Sequence, residues 1–185
     1  YATPEMRGIY TPYRRDSVTF VRYWALPGHE GYTHILGGLE KDGKTGAIST
    51  DPANHNRMDI ERAEKVNRIV IPDLEVLGDV DDAQLLIVGF GSTYGHLYSA
   101  MQEMRSKGRK VALAQFEFVN PLPKNACSVL QRYPKVIVAE QTLGQLAAYL
   151  RYHIDGFIPY QYNEVKGQPF VVSDLVNAFE KIMNK

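Results

Sequence analysis

Three short, nearly uninterrupted apolar runs constrain this chain more than any other feature. They lie in Gln84–Gly89, in Lys110–Phe118 with Val111, Leu113 and Phe116, and in Lys135–Ala139. A strand covered on one face alternates apolar and polar residues, whereas a strand covered on both faces does not. Stretches of helical character follow each run: Thr93–Lys107 closed by Gly108, Asn125–Arg132, and Leu143–Arg151. Strands alternating with helices in this way run parallel and are joined by right-handed crossovers. A short strand near Ile154–Ile158 and a last helix over Ser173–Ile182 complete the pattern. A helix over Asn56–Ile71 precedes it, with Arg57, Glu61 and Lys65 spaced for ion pairing along one face. The expectation is an α/β domain over residues 56–185, built on a small doubly wound parallel sheet.

Residues 1–55 read differently. Turn formers punctuate them at Pro12, Pro27-Gly28, Gly37-Gly38, Asp42-Gly43 and Asp51-Pro52. Between the turns lie Tyr1, Tyr10, Tyr13, Tyr23, Trp24 and Tyr32, interleaved with Arg14, Arg15 and Arg22. A stretch this long without regular structure is uncommon inside a compact domain. Large aromatics and arginines are also enriched where proteins dock on one another. The segment is therefore expected to be an irregular arm or linker, covering either its own domain or a neighbour. No internal repeat is evident. The chain opens at Tyr1 in mid-segment and reads as a piece of a longer protein.

The chain has 185 residues, 44% of them apolar, enough for a substantial core without disulfides or metals. Lys+Arg and Asp+Glu both total 21, so there is no electrostatic case for nucleic acid or an acidic membrane surface. No apolar run approaches the roughly 20 residues that cross a bilayer. The single cysteine, Cys127, allows neither an internal disulfide nor a cluster, and points to a reducing, cytoplasmic setting. His29, His34, His55, His96 and His153 are scattered without metal-ligand spacing.

One motif invites a ligand. Gly89-Phe-Gly91-Ser-Thr-Tyr-Gly95 joins a buried strand to a helix, where a backbone free of side chains approaches a phosphate and a helix start offers free N–H groups. Glu117, at the end of the next strand, falls where dinucleotide folds place a ribose-binding acid. The third glycine, however, is one position late, with Tyr94 in its place. Three readings stand in this order: a tight turn with Ser92 or Thr93 as N-cap, an anion or phosphate site, and a dinucleotide site. Ser92 lacks nucleophile-elbow spacing. A branched residue at Gly95 is expected to crowd the first helical turn against the sheet. Glu140, at the end of the third run, reads first as a pin for the loop Thr142-Leu-Gly144 and second as a general base. Gln145 marks a further strand-to-helix turn on the same edge, the edge where open α/β sheets bind ligands or partners.

Taken in order, several segments resemble one family. Leu26-Pro-Gly28…Gly31-Tyr-Thr-His34-Ile-Leu-Gly-Gly38-Leu-Glu40-Lys-Asp-Gly43 is similar to its P-G…H-x-x-T-G-x-E-H-x-x-x-G stretch. Asp51-Pro-Ala-Asn54-His55-Asn-Arg-Met58, leading into Glu61-Arg62-Ala-Glu-Lys65, resembles its D-P-E-N-H helix. Val88-Gly-Phe-Gly91-Ser-Thr93-Tyr-Gly95 resembles its V-G-x-G-S-T-x-G turn. Asn120-Pro-Leu-Pro123, Glu140-Gln-Thr-Leu-Gly144-Gln145-Leu146 and Lys166-Gly167-Gln-Pro169-Phe170 match three further stretches. The family is the 2-oxoacid:ferredoxin oxidoreductases, in the α subunit after its pyrimidine-binding domain, with coverage from Arg7 to Ile182. Departures are Gly37-Gly38 for T-G, Lys41 for the histidine after the glutamate, and Thr142 for an asparagine.

The resemblance implies a fold like the transketolase C-terminal domain. It also implies a parent enzyme that decarboxylates a 2-oxoacid, with 2-oxoglutarate the favoured substrate, on thiamine diphosphate and Mg. Electrons would pass through [4Fe-4S] clusters to ferredoxin, and an acyl-CoA would form. Those cofactors lie outside this stretch in the family, so no cofactor and no catalytic residue is expected here, and the isolated piece is expected to be inactive. Its implied partners are the preceding α domain and the thiamine- and cluster-binding β subunit. Gly91, Ser92, Thr93, Glu140 and Gln145 are its candidate residues for an anion or CoA contact or for a domain interface. An independent nucleotide- or CoA-binding module is the alternative.

Overall fold

In the computed structural model, which describes Tyr1–Lys185, the chain divides into two units, Tyr1–Val70 and Ile71–Lys185. The second unit carries the sheet: β1 (Val76–Gly78), β2 (Leu85–Phe90), β3 (Val111–Phe116), β4 (Val136–Glu140) and β5 (Tyr160–Asn163). Their spatial order is β1-β3-β2-β4-β5. Strands β2, β3, β4 and β5 pair in parallel, for example Ile87 with Leu113 and Ile137.

The apolar runs dictate the layering. In β2, Leu86 and Val88 face one side while Leu85 and Ile87 face the other, as the two-residue strand period requires. The first side packs on α3 (Ala126–Arg132) through Ala126 and Leu130, and on α4 (Gln145–His153) through Leu146, Ala147 and Leu150. The second side packs on α2 (Tyr94–Ser106) through Leu97, Met101 and Met104, and on α5 (Val172–Met183) through Leu175, Val176, Phe179 and Ile182. Helices on both faces make the fold doubly wound α/β.

Two strands differ from the sequence reading. The sheet is not wholly parallel: β1 pairs antiparallel with β3, Leu77 opposite Leu113. The last strand is Tyr160–Asn163, not Ile154–Ile158. Ile154 and Phe157 are buried, yet they plug the α3/α4 layer from a loop, while the edge strand that pairs with β4 is polar.

In the first unit, α1 (Pro52–Asn67) starts at Pro52, with Asp51 as N-cap accepting from the Ala53 N–H at 3.1 Å. The helix belongs with residues 1–50, so the division falls after Val70 and not at residue 55. Its ties explain why. Asn54 donates to Lys41 O at 3.0 Å, and the Arg15 guanidinium meets Glu61 at 2.9 Å. Arg68 donates to Val18 O at 2.6 Å.

Two hairpins in this unit share one design, a short repeat the sequence reading missed. Arg15-Asp-Ser-Val-Thr-Phe-Val-Arg22 and Lys41-Asp-Gly-Lys-Thr-Gly-Ala-Ile48 each close on a bridge between their end residues. In each, one aspartate oxygen (Asp16, Asp42) accepts two backbone N–H groups and a threonine hydroxyl (Thr19, Thr45). The threonine oxygen in turn accepts from Val21 or Ala47. These bonds hold both carboxyls below the usual carboxylate range, the Thr N–H contributing most. The left-handed position falls to Phe20 (φ 57°) in the first hairpin and Gly46 (φ 73°) in the second.

Candidate functional site at the carboxyl edge of the sheet

Strand β2 ends at Phe90, and the chain turns through a single 3-10 turn, Gly91–Thr93, into α2. Gly91 sits at φ 60° with nothing within 4 Å of where a Cβ would lie. Ser92 is exposed. Thr93 is buried, and its hydroxyl donates back to Phe90 O at 2.8 Å. Thr93 takes the N-cap position of α2, as expected, but neither it nor Ser92 makes a side-chain cap bond, because the Thr93 hydroxyl faces back to the strand. The crowding expected at Gly95 is absent too, since that position has open space. The tight position is Gly89, where a Cβ would stand 2.8 Å from Gln115 Oε1 and overlap Leu97.

Gln115 is the residue sequence reasoning passed over. Its Nε2 donates to Gly91 O at 3.0 Å, holding the turn against β3, and its buried Oε1 has no partner. The signal was present: a lone amide interrupts the apolar run Val111–Phe116. Beside this turn a groove of about 420 Å³ is lined by Gly91, Tyr94, Gln115, Phe118 and three carboxylate residues, Asp73, Glu75 and Glu117. Its aromatic walls are partly exposed, Tyr94 at 43% and Phe118 at 43%. Glu117 thus lies near the Gly91 turn, but in acidic company.

The second turn on this edge is built in the opposite way. Glu140 is fully buried, and its carboxylate accepts from Leu146 N (2.8 Å), Ala147 N (3.1 Å) and the Thr142 hydroxyl. It fills the start of α4, where free N–H groups and the helix dipole favour an anion. With both oxygens engaged by the fold, the carboxylate is bound as a pin and is not presented as a base. Gly144 permits the turn at φ 94°, and a Cβ there would meet Gln161 Oε1 at 2.7 Å. Gln145 closes the loop by accepting from Leu143 N at 2.8 Å.

The candidates therefore form two separate turns. No group of three or more His, Cys, Asp or Glu residues is placed to hold a metal ion. Cys127 is exposed and alone, so these residues do not fit an iron–sulfur cluster. No helix is long and apolar enough to cross a membrane.

Residues 83–173, β2 through the start of α5, match the protein-family profile described as pyruvate:ferredoxin oxidoreductase core domain II. The chain belongs to the 2-oxoacid:ferredoxin oxidoreductases, as a segment of the α subunit. It is 42% identical over 168 residues to the 2-oxoglutarate oxidoreductase subunit KorA of Mycobacterium tuberculosis, covering 90% of this chain and 25% of that protein. It is 31% identical over 157 residues to the α subunit of 2-oxoacid:ferredoxin oxidoreductase 2 of Aeropyrum pernix, covering 82% and 24%. The 2-oxoglutarate:ferredoxin oxidoreductase of Magnetococcus marinus, solved with 2-oxoglutarate, coenzyme A and succinyl-CoA bound, superposes with a TM-score of 0.80 at 31% identity. That superposition covers 92% of this chain and 30% of that one. The chain thus spans about a quarter of the length of the curated relatives it matches.

Proposed function

We propose that this chain is an assembly domain of a cytoplasmic enzyme that oxidatively decarboxylates 2-oxoglutarate to succinyl-CoA, with ferredoxin as electron acceptor. The observation that carries the reading is the 42% identity to a 2-oxoglutarate oxidoreductase subunit along 90% of this chain. Thiamine diphosphate, Mg, the [4Fe-4S] clusters and the reacting carbons lie on the preceding α domain and the β subunit. This piece supplies the surfaces on which those parts dock.

Exposed apolar side chains support the docking role. Trp24 is 69% exposed, Ile35 77% and Leu143, at the tip of the Glu140 turn, 82%. Ile35, Leu36 and Leu39 are exposed neighbours in the chain, and grouped apolar exposure marks interaction surfaces. Gly91, Ser92, Thr93, Glu140 and Gln145 act in this reading as interface turns. The acidic lining of the neighbouring groove disfavours a CoA phosphate at Gly91, because Asp73, Glu75 and Glu117 would repel it. That repulsion ranks the independent nucleotide module second.

The test is co-expression of this chain with the preceding α domain and the β subunit, followed by affinity capture and a coupled ferredoxin-reduction assay. Co-purification, with activity on 2-oxoglutarate only in the complete assembly, is the expected result. Turnover by the isolated 185-residue chain would overturn the reading.

A further inference from the structure

The unit Tyr1–Val70 contains a concavity of its own, of about 320 Å³, opening beside its two aspartate–threonine hairpins. We propose that this concavity binds the phosphate groups of a small phosphorylated molecule. The inference does not depend on the assembly reading.

The argument is one of charge left over. Arg14, Arg15, Lys44 and Arg57 line the site against two carboxylates, Asp16 and Glu61. Asp16 is consumed by its own hairpin: one oxygen takes the Val18 and Thr19 donors, and the other faces the Tyr23 hydroxyl at 3.4 Å. Glu61 is shared between Arg15 at 2.9 Å and Arg57 at 3.8 Å. Arg14 and Lys44 are exposed and ion-paired with nothing. Burial lowers the Arg15 pKa, Glu61 works against that, and the cations Arg22 and Arg62 lower it further. With Asp16 and Glu61 both engaged, and Arg14 and Lys44 unpaired, the site has positive charge to spare.

The backbone adds donors and room. Ser17 and Gly43, equivalent positions in the two hairpins, both line the site, and neither N–H donates within the chain. Gly43 lets the Arg57 guanidinium lie close, for a Cβ there would stand 3.3 Å from Arg57 Nη2. A guanidinium fork with a point-charge lysine is the usual pairing for phosphate oxygens. The volume sits near the lower end of ligand cavities, about 300 Å³, and suits one or two phosphates better than a whole nucleotide.

The experiment is a calorimetric and amide-NMR titration of the 185-residue chain with inorganic phosphate and inorganic pyrophosphate at low and high NaCl. Saturable binding of pyrophosphate that weakens with salt, with shifts at Ser17 and Gly43, is expected. An Arg14→Ala/Lys44→Ala double variant should weaken it by about tenfold or more, since charge-assisted bonds are the strong ones. Both side chains are exposed, so its thermal melt should match that of the parent chain. Lys124→Ala, an exposed lysine in the other unit, should bind like the parent. No saturation well into the millimolar range would overturn the proposal. So would an equal loss in Lys124→Ala, or tighter binding of a polyglutamate peptide than of pyrophosphate.

Discussion

The two units solve the problem of staying folded by different means. Ile71–Lys185 sandwiches a sheet between two apolar layers, with Phe116, Phe179, Leu85 and Met104 among side chains sealed from water. In Tyr1–Val70 the buried apolar residues reduce to Met58 and Pro12, and the polar residues Lys41 and Asn54 are buried with them. That unit is held by its two aspartate hairpins, by the Arg15–Glu61 pair, and by side chains bonded to backbone carbonyls. It leaves Trp24, Ile35 and Leu39 in the open. Apolar burial scales with area, so one large buried side chain carries several kcal/mol, about 3–5 for a phenylalanine, whereas a hydrogen-bonded framework contributes only about 1 kcal/mol per bond. The contrast predicts where substitutions should hurt.

The largest effect belongs to the apolar layers. Phe179→Ala empties a fully buried site between α5 and the sheet and should cost about 3–5 kcal/mol. Trp24→Ala, an equally drastic truncation in the other unit, should stay within about 0.5 kcal/mol because the ring is exposed. Urea melts followed by amide signals from each unit separate the two. Comparable losses would erase the contrast.

The second effect is polar but buried, and it marks the limit of the contrast. Glu140→Ala leaves the Leu146 and Ala147 N–H groups without acceptors inside the protein. The cost should be about 2–3 kcal/mol, the penalty for unmet buried donors at a helix start. Glu140→Gln keeps one acceptor and should recover part of it. A loss below about 0.5 kcal/mol for the alanine would mean water replaces the carboxylate freely.

How much of this was legible depended on the same distinction. Strands β2, β3 and β4 announced themselves because burial on both faces makes Leu85–Val88 and its counterparts continuously apolar. Strand β1 had no such signal: three half-buried residues, Val76–Gly78, placed by pairing with β3 alone. Strand β5 was misread because Ile154 and Phe157 are apolar for packing and not for pairing. At the site, the glycines were visible but their reasons were not. Gly89 is required by Gln115 and Leu97, residues distant in sequence, while Gly95 touches nothing. The Glu140 pin was within reach because its donors follow six and seven residues later in the chain. The hairpin repeat was missed because its shared residues, an aspartate and a threonine three positions on, leave no hydrophobic trace.

That repeat offers the smallest and sharpest test. Both hairpins need a left-handed residue, and one uses Gly46 while the other uses Phe20. A side chain in this conformation costs about 1–2 kcal/mol. Gly46→Ala should therefore lose about 1 kcal/mol, with the new methyl already in contact distance of Pro12 at 3.4 Å. Phe20→Gly should change stability by less than about 0.5 kcal/mol. The strain it relieves is offset by two losses, the added freedom of the unfolded chain and the Arg68 guanidinium lying 3.9 Å over the phenyl ring. Exchange rates of the Asp16 and Asp42 amides, which bond Val21 O and Ala47 O across the two turns, report each hairpin directly. If Phe20→Gly slows exchange at Asp16, the aromatic contact is too weak to balance the strain, and Phe20 is kept for the surface it presents. If it speeds exchange as much as Gly46→Ala does at Asp42, the ring over Arg68 holds the hairpin, and the polar framework of this unit contains one apolar anchor.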